Sequence, residues 1–172
     1  MKESIIIAHT LAFLKGKGFT VENVSSIKTK EKVRVEKILN RRNISTDIIC
    51  KAKERKNRRF DIYGHFKFNR KYSQRRLVVE AKGGKKHYAI YTMLGQFISD
   101  KTSSSDYHWF AFALPFTWKS KVKEYLLTEE GGIKPIIKLI MEEYTKKGSG
   151  LWFYFVDESG NVTQETWKKT LK

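Results

Sequence analysis

The chain has 172 residues, enough for one domain with a single sizeable core, and an apolar share of 40% argues against disorder. Lysine and arginine number 35 against 18 aspartate and glutamate, and this formal charge of +17 is spread along the chain, which points to a polyanionic partner such as nucleic acid. The lone cysteine, Cys50, excludes a disulfide framework and a cysteine-based zinc site and fits a reducing cytoplasm, while no apolar run is long enough to span a membrane.

In chain order, the first residues lack the long apolar region and cleavage site of a signal peptide, and residues 4–15 read as an amphipathic helix with Ile5, Ala8, Leu11 and Ala12 on its stripe. Gly16-Lys17-Gly18 stops it, and residues 19–24 alternate as a strand. Residues 25–45 are highly charged and leave two readings open, a strand followed by a helical turn or one basic helix. Residues 47–52 read as a strand containing Cys50, 53–59 as a basic turn, 60–68 as a strand, 69–74 as a turn and 75–82 as a second strand. Gly83-Gly84 breaks the pattern before a helix over 87–101. The near-continuous apolar run at 107–114 predicts a strand buried on both faces. Helices are expected over 117–127, capped by Thr117, and over 133–147, then a strand over 151–156 and a short helix within 161–172. This order predicts a single-domain α/β fold, a central mixed β-sheet flanked by helices.

Charged residues interrupt this apolar pattern at Asp61 and at Glu80-Ala81-Lys82. Strand alternation points Glu80 and Lys82 the same way, at the end of the run Leu77-Val78-Val79. An acid two residues from a lysine is common on exposed strands and usually means only a solvated pair. Here apolar neighbours flank both acids, and an acid buried among them needs a cation or a basic partner. Magnesium favours oxygen ligands and is held by one or two carboxylates plus a substrate phosphate; it acidifies a water, and an ammonium beside that water adds to the effect. Asp47 is the rival acid. Asp61 stands 19 residues before Glu80, the span of one hairpin, whereas Asp47 stands 33 before it and reads as a cap or turn residue. His65 shares a strand face with Asp61 and reads as structural, as do the aromatic side chains Trp118, Trp152 and Tyr154.

An N-terminal helix before Lys17-Gly18-Phe19, Asp61 opening a hairpin that ends in Glu80-Ala81-Lys82, a glycine pair, a helix with Gln96, and a buried strand together resemble the PD-(D/E)xK nuclease superfamily. The likeness in element order covers most of residues 1–115, and 116–172 carry no matching motif. Phe60 stands where the family's name has proline, at a position that varies. The resemblance implies a restriction-endonuclease-like fold in which Asp61, Glu80 and the Ala81 carbonyl hold a metal, Lys82 positions the attacking water, and Gln96 lies near the site. It implies Mg2+, with Mn2+ as a substitute, and one metal is the count that two acids suit. Family members often carry a further acid on the first helix; Glu3 is the candidate and reads as a solvated end. The implied activity is an endonuclease on double-stranded or branched DNA, of restriction, junction-resolution or repair type, with a homodimer where both strands are cut. Lys85 and Lys86 after the motif, with Arg58 and Arg59 in the basic turn, are the candidate DNA contacts. The alternative is a nucleic-acid-binding module that kept the fold without catalysis.

Overall fold

The computed structural model describes residues 1–24, 27, 29–47, 61–66, 75–84, 89–103, 109–127, 139, 142 and 150–170. Six strands form one mixed sheet in sequence order: β1 (Phe19–Val24), β2 (Ile62–Phe66), β3 (Arg75–Ala81), β4 (Trp109–Pro115), β5 (Gly150–Val156) and β6 (Val162–Thr166). The outer pairs β1–β2, β2–β3 and β5–β6 are antiparallel, and β3, β4 and β5 run parallel at the centre. The α-helices whose bounds fall among the described residues are α1 (Glu3–Gly16), α2 (Thr29–Asn40), α3 (Ala89–Ser103), α4 (Lys119–Leu127) and α5 (Trp167–Thr170).

Alternation along the central strands sorts two cores onto the two faces. One face presents Leu77, Val79 and Ala81 of β3 with Ala111 and Ala113 of β4 to α1 and α2. The alanines leave room for α1, whose Ile6, Ala8, Leu11 and Leu14 are wholly or almost wholly buried. That helix is buried more widely than its expected stripe, since Ile7 and Thr10 are also enclosed while Ala12 is only partly so. The other face presents Val78, Phe110, Phe112, Phe153 and Phe155 to α3 and α4, so the sheet is a layer between two helical layers.

Thr29–Asn40 settles the open reading of the charged segment as a helix, anchored by Val35 and Leu39 and leaving Val33 exposed. Three expectations are corrected. Residues 161–166 do not begin a helix: Val162–Thr166 pairs with β5 as an edge strand, and only Trp167–Thr170 is helical. Thr117 is not a cap, because it lies inside a 3₁₀ turn at Phe116–Trp118 that precedes α4, and Pro115 occupies the capping position without a side-chain bond. The expected strand at 47–52 is corrected at Asp47, which is helical, and its other residues lie outside the described ones, as does the turn at 53–59; of the expected helix at 133–147, Leu139 and Glu142 are described and both are helical.

Candidate active site at the end of strand β3

The β2–β3 hairpin positions the acids. Its register places Ile62 opposite Val79, so Asp61, one residue earlier, comes beside Glu80. The backbone N–H of Ala81 donates to Asp61 Oδ2 at 2.7 Å, pinning that carboxylate to the end of β3. Glu80 projects onto the aromatic face, next to Phe112 in the β4 register, and is 2% exposed. Lys82 leaves the strand on the same side, and its ammonium donates to Glu80 Oε1 at 2.5 Å. The Lys82 N–H still reaches Ala113 O at 3.0 Å, so the β3–β4 ladder holds the motif to its last residue. The site therefore lies at the carboxyl end of a parallel strand, where open α/β sheets bind ligands.

Gly83 and Gly84 bring the start of α1 against this end. A Cβ on Gly83 would stand 2.7 Å from both Met1 O and Glu3 N, a contact that only glycine permits. Gly84, at φ 101°, donates its N–H to Met1 O at 2.7 Å. Glu3, solvated as expected, is thereby close enough for its charge to act on both Glu80 and Lys82. Reading the sequence missed this role; the glycine pair, which marks a close backbone approach, was the available signal.

The two glutamates buried among the described residues, Glu80 and Glu165, differ in one respect. Glu165 accepts from Lys119 at 2.7 Å and from Thr170 at 3.3 Å; burial opposes its ionisation, but these partners with Lys169 hold its carboxyl below the usual range. Glu80 moves the other way, to about 7, because burial and then the charge of Asp61 outweigh the Lys82 ammonium. Its Oε2 is buried without a hydrogen-bond partner. Burial also acts to lower the Lys82 pKa, yet the bond and charge of Glu80, with Asp61 and Glu3, raise it. A carboxylate oxygen orphaned beside a second acid is an incomplete arrangement that a cation would complete.

These residues fit a hard divalent ion. The donors are all oxygens, two carboxylates suit an ion that keeps water and takes a phosphate, and Glu80 Oε2 lacks a partner. Among the described residues no three histidine, cysteine or acidic side chains form a preformed cluster.

Gln96 sits half-buried on α3 with its Oε1 enclosed and unbonded, so it makes no bond to the triad through that atom. Asp47 is an exposed residue in helical conformation, bonded to Ser45 Oγ at 3.2 Å through its N–H and 2.9 Å through its carboxylate. His65 is structural, its Nδ1 lying 2.8 Å from Glu22 Oε1, and Trp118 and Tyr154 are core residues. Arg58, Arg59, Lys85 and Lys86 lie outside the described residues. No family model, curated protein or solved structure matches this chain.

Proposed function

We propose that the chain is a metal-dependent nuclease of restriction-endonuclease-like fold that hydrolyses DNA phosphodiester bonds, acting as an endonuclease on double-stranded or branched DNA. The observation that carries the reading is Glu80 Oε2, buried and unpartnered at the end of β3, on a carboxyl whose other oxygen accepts from the Lys82 ammonium and whose ionisation the charge of Asp61 opposes. No membrane partner is invoked, and among the described residues no helix is long and apolar enough to cross a membrane. The single cysteine suits a reducing, cytoplasmic setting.

Asp61 and Glu80, with the Ala81 carbonyl, would hold Mg2+ or its substitute Mn2+. Bound there, the ion supplies an acidified water and offsets charge on the pentavalent transition state. The Ala81 N–H keeps Asp61 in one orientation, so that little reorganisation is needed for ligation. Glu80 gives up its proton when it becomes a ligand. Lys82, whose ammonium donates to Glu80 Oε1, would place a positive charge beside a nucleophilic water at this site. Cutting both strands of a duplex calls for two such sites, so a homodimer is the expected active form on that substrate.

The test is incubation with supercoiled plasmid and with a four-way junction, with magnesium and with chelator, beside Glu80→Ala and Lys82→Ala. Nicking that needs magnesium and both side chains is expected. Cleavage that survives chelator or either substitution contradicts the mechanism. Binding to every substrate without cleavage identifies the non-catalytic module instead.

A further inference from the structure

Two adjoining cavities run beside α1, away from the triad. One, of about 420 Å³, lies between α1 and the β5–β6 turn and is lined by Lys17 and Arg42. The other, of about 790 Å³, lies between α1 and α2, is lined by Arg34, Lys37 and Arg41, and reaches Met1 and Gly84. His9 lines both, so the two adjoin at its side chain and are taken together as one groove. Its lining includes Gly84, two residues from Lys82.

The charge balance in this groove is one-sided. Glu31 is engaged by Lys2 at 3.1 Å and Glu36 by Lys32 at 3.7 Å, so the acids of α2 are already paired. The acid in the groove lining is Glu158. Arg34, Lys37, Arg41 and Arg42 are exposed and make no ion pair among the described residues. Arg34, Lys37 and Arg41 stand at i, i+3 and i+7 and so share one helical face. At ~1.5 Å per residue they span about 10 Å, the axial rise of about three phosphates of one DNA strand. The guanidiniums also act inward: the His9 imidazole is held below its usual pKa first by burial, then by Arg42 and, more weakly, Arg34, against the opposing charge of Asp157.

We propose that this groove, with Arg34, Lys37, Arg41 and Arg42 on its wall, binds the phosphodiester backbone of duplex DNA and leads it to the end of β3. The inference rests on the nucleic-acid part of the function proposed above and is independent of its catalytic part. The cations neutralise backbone phosphates and release condensed counterions, so binding carries a steep salt dependence and no base preference.

The test is fluorescence anisotropy with labelled duplex DNA over a salt series, in chelator so that no cleavage intervenes. Arg34→Ala/Lys37→Ala/Arg41→Ala is compared with the charge-matched Lys123→Ala/Lys168→Ala/Lys169→Ala on α4 and α5. The groove variant is expected to bind more weakly, with the slope of log affinity against log salt reduced by about three, and the remote variant by less than about one. The charge-preserving Arg34→Lys/Arg41→Lys keeps the slope. All these positions are exposed, and alanine favours helix, so unchanged melting confirms folded variants. A groove variant with the wild-type slope, a remote variant with an equal loss, or a wild-type chain that does not bind duplex DNA overturns the inference. Groove-dependent binding in a chain that never cleaves supports it while removing the nuclease reading.

Discussion

Replacing Glu80 by glutamine removes one ionisation and leaves the side-chain shape nearly unchanged. In the folded chain this carboxyl titrates at about 7 against an ordinary 4.5, raised by burial and by Asp61. Below 4.5 both folded and unfolded states carry the proton, and Glu80 costs nothing. Between 4.5 and about 7 the folded state keeps a proton that the unfolded state has lost, so stability falls as pH rises and levels off above about 7. One proton corresponds to about 1.4 kcal/mol per pH unit, and the whole window to about 3 kcal/mol. The raised Lys82 pKa acts at alkaline pH, outside this window. Denaturant unfolding of wild type and Glu80→Gln across the window measures the contribution of Glu80 together with its coupling to Asp61 and Lys82, because the remaining titrating groups are common to both chains. The wild type is expected to lose about 3 kcal/mol relative to the variant on going from pH 4.5 to 7. Parallel curves would refute the account of Glu80 as a buried acid raised by its surroundings.

Other perturbations act on the same geometry. Asp61→Asn removes the neighbouring charge and should lower the Glu80 midpoint, seen by carboxyl NMR, while reducing cleavage by about 100-fold or more. Lys82→Met removes the cation that opposes this shift, so the Glu80 midpoint should rise further, and a fall in that NMR midpoint would contradict the pairing. Gly83→Ala places a Cβ 2.7 Å from Met1 O and Glu3 N, both backbone atoms that cannot swing aside; a loss of about 1–3 kcal/mol is expected in chemical denaturation. Below pH 7, apparent magnesium affinity measured by calorimetry should rise about tenfold per pH unit, since ligation displaces the Glu80 proton.

The sequence made the centre of the fold legible because its strands are written in apolar runs. Residues 75–82, 107–114 and 151–156 each carry a continuous apolar stretch, Leu77–Val79, Trp109–Leu114 and Leu151–Val156, and they became β3, β4 and β5. The hairpin spacing also read correctly, because an antiparallel pair fixes which residue faces Glu80. β6 was hidden: Val-Thr-Gln-Glu-Thr has one apolar residue, and its Glu165 is buried through Lys119, an ion pair between distant segments that periodicity does not show. Segment 25–45 was ambiguous for the same reason, since only Val35 and Leu39 of α2 are fully enclosed. The basic groove was illegible because α1, α2 and the β5–β6 turn meet only in the fold.

The central claim is that Asp61 and Glu80 together hold a divalent cation. Electron paramagnetic resonance titration with Mn2+ tests it without requiring any activity. Wild type is expected to bind one ion per chain near neutral pH, competed by Mg2+, and both Asp61→Asn and Glu80→Gln to lose that site while remaining folded. Equal Mn2+ binding in wild type and the two variants contradicts the claim.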